Sequence, residues 1–159
     1  MSDVAQPAGR ETRLVEAISA AETHPLRLAV LRHDVPTSVV VFPEDDMPGA
    51  LHLGVRVAGE LVAISSWIPR PYGEAPAVQL RGMATARDRQ GTGLGGLLLQ
   101  AGCEHAAADG YDLVWARARD AALAFYQRHG FDVEGDGFID ANTQLPHHVV
   151  VRHLDRTTR

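Results

Sequence analysis

The chain has 159 residues, of which 45% are hydrophobic and 22% charged, and carries a net charge of −5 with histidine neutral. That size and balance fit one globular domain with a real core, and an acidic chain with no basic patch or tail excludes nucleic acid as an expected partner. The single cysteine, Cys103, excludes an internal disulfide; no apolar run approaches the roughly 18 residues of a membrane span and no charged-then-apolar start is present, so no membrane partner and a cytoplasmic location are expected.

Residues 1–10 read as a loose start, 11–155 as one domain and 156–159 as a tail. Residues 13–18 alternate as a first strand should. Ser19 followed by Glu22 has capping-box spacing. The helix behind it carries Leu26, Leu28, Val30 and Leu31 toward His33-Asp34, with Pro25 setting its start or a bend. Residues 37–48 are irregular and end in the acidic run Glu44-Asp45-Asp46. Residues 51–57 and 61–67 form a hairpin around Ala58-Gly59-Glu60. Residues 69–76 are a proline-rich loop holding Tyr72 and Glu74.

Residues 77–84 suit a buried strand, with Val78, Leu80 and Met83. A helix follows from Leu94 to about Asp109-Gly110, and Cys103 among its alanines reads as an inert buried thiol. Residues 112–118 are a strand and 120–129 a helix, stopped by Gly130. Residues 131–134 and 148–154 are the last strands, joined by a polar connection over 135–147. No internal repeat or second domain is visible. This order predicts an α/β mixed sheet with helices on both faces.

The stretch Gln90-Gly91-Thr92-Gly93-Leu94-Gly95-Gly96 lies between the 77–84 strand and its helix. Four glycines leave backbone N–H groups without a Cβ, and a helix start offers unpaired N–H groups at the positive end of its dipole. Together they make a site for a pyrophosphate-sized anion. Gly91, Gly93 and Gly96 match G-x-G-x-x-G, but a dinucleotide fold wants an acid about 20 residues on. Here the next strand ends on Arg117 and Arg119, and too few elements follow for a doubly wound sheet. A nucleoside-triphosphate loop needs a lysine, and the sequence contains none. A glycine turn with no ligand is the other reading of the pattern.

The spacing Gln90-x-x-Gly93-x-Gly95 resembles the Gln/Arg-x-x-Gly-x-Gly/Ala signature of the GNAT superfamily of N-acetyltransferases. Leu80-Arg81-Gly82-Met83-Ala84-Thr85 before it and residues 121–131 after it, with Phe125-Tyr126 and Gly130-Phe131, are similar to two further family segments. The resemblance implies a central, mostly antiparallel mixed sheet whose middle strands splay apart, and acetyl-coenzyme A as cosubstrate with no metal. It implies that backbone of Met83, Ala84 and Thr85 meets the pantetheine arm. It places Arg89, Gln90, Gly91, Thr92, Gly93, Leu94, Gly95 and Gly96 around the phosphates, and Arg117 on the cofactor side. Tyr126 stands where the family's tyrosine faces the thioester sulfur as general acid; its other reading is a core aromatic. The family often has proline where Arg87 stands and asparagine where Arg117 stands. The acceptor implied is the amine of a small molecule or peptide, reached by direct attack in a ternary complex, and a homodimer is compatible with it. Transfer of a longer acyl group and a non-catalytic acyl-coenzyme A sensor stay open.

The general base is open. Gln79 and Arg81 on the strand are not bases at neutral pH, which leaves Glu74, His147, His148 or a water chain. The eight histidines show no metal-ligand spacing, and Ser65-Ser66 lacks a nucleophile-elbow context. Arg117 and Arg119 point one to each face or both outward; in the cleft they would meet a cofactor phosphate or an acidic substrate. The acidic run 44–46 and Glu74 suggest a cationic acceptor, against the alternative of a solvated loop.

Overall fold

The computed structural model describes residues 12–155; the expected loose start and tail lie outside the described residues. Strand β1 (Leu14–Ile18) leads into α1 (Ala20–Leu26). The capping box is present as read: Ser19 Oγ accepts from the Glu22 N–H, and Glu22 Oε1 accepts from the Ser19 N–H. Pro25 lies inside α1 rather than at its start. Its ring cannot donate to the preceding turn, and the helix widens directly behind it into a π-helical turn, Arg27–Leu31, closed by Arg32 N–H to Arg27 O.

Strands β2 (Leu51–Val57) and β3 (Glu60–Pro69) form the expected hairpin. Ala58 and Gly59 both have positive φ, 52° and 82°, the turn whose twist matches its strands. Then come β4 (Ala77–Thr85), α2 (Leu94–Ala108), β5 (Leu113–Arg119), α3 (Leu123–Arg128), β6 (Asp132–Ile139) and β7 (Pro146–His153). The expected polar connection is therefore much shorter: β6 runs on to Ile139 and β7 starts at Pro146. Gly-Asp-Gly at 135–137 is a break in register within β6, between Glu134 and Phe138, with Gly135 at φ 74°.

The seven strands make one sheet in the order β1-β2-β3-β4-β5-β7-β6. Every pairing is antiparallel except β4 with β5. That parallel pair holds only at Ala77–Leu113, Val78–Val114 and Gln79–Trp115. Beyond it the two strands separate, so the β5-facing edge of β4 has no strand partner from Leu80 on. The expected splay is present, in the middle of the sheet.

Helix α2 covers one face of the sheet with Leu94, Leu98, Leu99, Cys103 and Ala106, a helical stripe packed on Val55, Val57, Trp67 and Leu80. Burying each leucine there contributes about 1.5–3 kcal/mol. The π-helical turn after α1 packs on the other face, where Arg27 meets Ser66 of β3. Gly102 lets α2 approach β3: a Cβ there would lie 2.0 Å from Trp67 Cζ2. Trp67 is fully buried and donates to Ser65 Oγ, so it cannot withdraw without losing that bond. Gly102→Ala gains up to about 1 kcal/mol of helix propensity but overpacks a tight contact. A net loss of about 2 kcal/mol is expected, a fall of roughly 4–8 °C in melting temperature for a domain this size. An unchanged or raised melting temperature would show that the helix–sheet spacing is loose.

Candidate functional site

The glycine loop sits at the end of β4, before α2. Gly91 and Gly93 take φ of 79° and 91°, conformations that residues with a Cβ rarely adopt. A Cβ at Gly91 would meet nothing within 4 Å, and at Gly93 only Arg13 Nη1 at 4.0 Å, so both face open space. Gly95 and Gly96 are glycine for a different reason. A Cβ at Gly95 would lie 2.9 Å from Phe125, and one at Gly96 2.8 Å from His129. These two let α3 lie against the start of α2; their side-chain positions face a helix and not a ligand. Leu94 is buried in the core, so only its backbone is available at the helix start. Gln90 donates to Thr85 O and Thr92 Oγ1 to Arg89 O, which brace the loop on β4 and on itself. Arg13, 79 residues away in sequence, donates to Thr92 O and brings a cation to the loop. Nothing local in the sequence marked it.

Where β4 and β5 separate, residues of both strands, Leu80 to Met83 and Ala116 to Arg119, line a cavity of about 400 Å³. Met83, Ala116, Ala118 and Tyr126 line its inner part. β4 breaks register with β3 between Ile64 and Ser66, and Gly82 takes φ of 60° within that bulge. A Cβ on Gly82 would lie 3.2 Å from Arg27 Nε and 3.5 Å from Phe42. Arg27 is wholly buried and donates to Val40 O, to both Asp45 carboxylate oxygens at 2.8 and 2.9 Å, and to Ser66 Oγ at 2.9 Å. His52 joins Ser66 Oγ to Asp45 O through its two ring nitrogens. A carbonyl only accepts, so His52 Nε2 carries a proton, and in the neutral ring Nδ1 accepts from Ser66 Oγ. Burial alone would raise the Asp45 carboxyl; the Arg27 donors and the Phe42 N–H outweigh it and hold the carboxyl low. Ser65 and Ser66 are thus both structural.

Tyr126 lines the cavity and is 8% exposed. Burial pushes its phenol up to about 12, so the group stays protonated at neutral pH. Its ring packs edge-on against Phe125 and Phe131, so core packing and cavity lining coexist in one residue. Cys103 is buried and its thiol is pushed up to about 11, chiefly by burial, as an inert core cysteine should be.

Of the candidate bases, the structure brings one to the cavity. His147 lines it, stacks on Phe138 and bonds Leu145 O through Nδ1 at 2.9 Å. That carbonyl requires Nδ1 to carry the proton, which puts the lone pair of the neutral ring on Nε2. His148 is drawn away to Asp120, 2.7 Å from its Nδ1. Glu74 is exposed in the turn between Tyr72 and Ala75 and does not line the cavity.

The suggested cationic-acceptor site is not what the acidic run builds. Asp45 is consumed by Arg27, and Glu44 lies 2.6 Å from Arg81 and 3.8 Å from Arg70. Arg117 and Arg119 both line the cavity, because residues two apart in a strand share a face; the expectation of opposite or outward directions is corrected. Arg117 also lies over the Phe138 ring, 4.9 Å from its centroid. Among the described residues no group of three or more His, Cys, Asp or Glu is placed to hold a metal ion, and no helix is long and apolar enough to cross a membrane.

Comparison with known proteins agrees with this geometry. The family model described as "Acetyltransferase (GNAT) family" matches residues 16–131. The chain is 30% identical over 148 residues to the uncharacterized N-acetyltransferase YitI of Bacillus subtilis (strain 168), covering 91% of this chain and 98% of that one. Among solved structures it is similar to Escherichia coli ElaA, with a TM-score of 0.74 at 18% identity over 89% of this chain and 99% of that one. It is also similar to the IAA acetyltransferase of Bacillus cereus ATCC 14579, with a TM-score of 0.72 at 16% identity over 90% and 100% of the two chains.

Proposed function

Since the chain belongs to the GNAT family of N-acetyltransferases, we propose that it moves the acetyl group of acetyl-coenzyme A to the amine of a small molecule or peptide, by direct attack in a ternary complex. The observation that carries this reading is the unpartnered edge of β4. A strand interior to a sheet normally pairs on both sides, because unpaired N–H and C=O groups are costly away from water. Here backbone from Leu80 to Thr85 has no strand partner on the β5 side, with Thr85 O held by the Gln90 side chain, between an anion-accepting turn and a cavity. Met83, Ala84 and Thr85 offer that backbone to the amide-bearing pantetheine arm. Gly91 and Gly93 leave room for the phosphates, and the first N–H groups of α2, from Gly93 to Gly96, receive their charge. Arg13, which donates to Thr92 O, and Arg89 of the loop add positive charge there, and Arg117 adds it in the cavity.

When bound, acetyl-coenzyme A supplies an activated acyl group on a thiol. The protein must then take a proton from the amine and support the departing sulfur. His147 has the lone pair and the place for the first task, directly or through water. Tyr126, protonated to about pH 12, has the proton for the second.

Acetyl-coenzyme A at about 100-fold over its Kd should stabilise the protein by roughly 2.7 kcal/mol, several degrees in melting temperature, with NAD and ATP giving much less. Gly93→Asp should abolish that shift, because a carboxylate would enter the anion's approach while aspartate tolerates a positive φ better than most residues. Gly95→Asp would not test this cleanly, since its side chain would strike Phe125. An acetyl-coenzyme A shift retained in Gly93→Asp would move the anion site elsewhere.

A further inference from the structure

The outer part of the cavity is built from cations. Arg32, Arg70, Arg81, Arg117 and Arg119 line it, against two carboxylates, Glu44 and Asp140. Both carboxylates are already engaged. Glu44 is shared by Arg81 and Arg70. Asp140 Oδ2 accepts from the N–H groups of Asn142 and Thr143 and from Thr143 Oγ1. The hydrogen bonds of Arg32 and Arg119 go to carbonyls: Arg32 donates to Val39 O and Leu31 O and also lies over the Phe42 ring, 5.6 Å from its centroid, and Arg119 donates to Leu31 O. Carbonyls orient a guanidinium without neutralising it. Both guanidiniums are pushed down, first by burial, and Arg32 also by Arg119, Arg81 and Arg27; the one opposing charge, Asp140, acts on both and is outweighed. Such crowding of like charges in a partly buried cleft is unfavourable unless a ligand relieves it. It also stands inside a chain whose net charge is −5, so the cluster is local and not a reflection of composition.

Resting on the N-acetyltransferase reading, we propose that the acceptor amine carries an anionic group, carboxylate or phosphate, which the Arg32 and Arg119 guanidiniums hold at the mouth of the cavity. Planar forks with free N–H groups match either anion, and both arginines approach the cavity from fixed elements, the end of the first helical segment and the end of β5. Leu31 O accepts from both, which fixes the two heads side by side. The amine end then reaches inward, past Gly82 and Met83, toward Tyr126 and His147. A diamine or polyamine would meet repulsion at the same place.

The test uses binding first, so that it does not depend on finding the natural acceptor. Melting temperature is measured with coenzyme A saturating, which fills the α2 anion site, and with glutarate, inorganic phosphate or 1,5-diaminopentane added. Glutarate or phosphate should give a saturable rise, larger for the anion that matches the acceptor, and diaminopentane none. Arg32→Gln and Arg119→Gln, each shown by its unliganded melting temperature to be folded, should each weaken the anion at least 10-fold while leaving the coenzyme A shift in place. If either variant fails to fold, the other decides. For turnover, kcat/KM for glutamate should exceed that for its diamide by about 10²-fold and fall with added salt. The proposal is overturned if neither anion shifts the complex, if the shift survives in the variants, if the variants lose coenzyme A instead, or if diaminopentane binds as well. A protein that binds the anions but not coenzyme A would sink the transferase reading and leave the anion site standing.

Discussion

Asp45→Ala is expected to lower stability by about 3–5 kcal/mol, a fall on the order of 10 °C or more in melting temperature. The reason is what remains. Arg27 is wholly buried and would keep its charge with no carboxylate, while the Phe42 N–H would lose its acceptor. Arg27→Met, Asp45→Leu together should cost far less than either single change, because a buried ion pair offsets little more than its own desolvation. Asp46 beside it is exposed, and Asp46→Ala should move stability by no more than about 0.5 kcal/mol. The pH dependence has a fixed sign. The Asp45 carboxyl is held low in the folded chain, so its contribution is complete above the ordinary carboxylate range and is lost as pH falls through its own lowered value. The variant should therefore lose less stability on acidification than the parent. Equal melting temperatures for Asp45→Ala and the parent would contradict the network. Because Arg27 packs against Gly82 in the β4 bulge, the folded fraction of a milder Asp45→Asn variant should also show a weaker acceptor-dependent rate at unchanged cofactor affinity.

Tyr126→Phe is expected to lower kcat and kcat/KM together by about 10²-fold, with acetyl-coenzyme A affinity nearly intact. The ring and its contacts with Phe125 and Phe131 remain, and only the hydroxyl is lost. That hydroxyl acts when charge develops on the departing sulfur, which is why binding should not report its loss. The effect belongs at the lower end of general-acid contributions, since a thiol near pKa ~8.5 leaves with modest help. A thioester of a more acidic thiol should recover part of the rate. A wild-type rate in Tyr126→Phe, with an unchanged melting temperature, would make Tyr126 a core aromatic alone.

The elements that sequence showed most plainly were those governed by short-range rules. Ser19 and Glu22 are three apart, the hairpin turns at Ala58-Gly59, and the α2 leucines recur at helical spacing; each rule is local, and the one shift is Glu60, read as part of the turn and found already paired in β3. Residues 135–139 were misplaced because Gly-Asp-Gly carries a loop composition, while the partner strand β7 holds them in the sheet through pairs such as Phe138–His147. The glycines of the loop were legible as a group but not individually. Only the positions of Phe125 and His129 separate Gly95 and Gly96 from Gly91 and Gly93. Asp45 and Arg27 lie 18 residues apart with a π-helical turn between them, so no periodicity could have paired them. Likewise the arginines of the cavity come from four separate stretches of chain, and only the fold sums their charge.

One reaction tests acetyl transfer most directly. Acetyl-coenzyme A is incubated with the protein and a panel of amines spanning aminocarboxylates, aminoalkyl phosphates, neutral amines and diamines, and free thiol is followed with a thiol reagent. The protein's own Cys103 is buried with its thiol pushed up to about 11, so the signal reports released coenzyme A. The predicted result is saturable, amine-dependent thiol release, matched one for one by acetylated amine and fastest with an anionic amine. Thiol release that no amine accelerates, from a protein that acetyl-coenzyme A demonstrably stabilises, would contradict transfer and leave an acyl-coenzyme A-binding protein in its place.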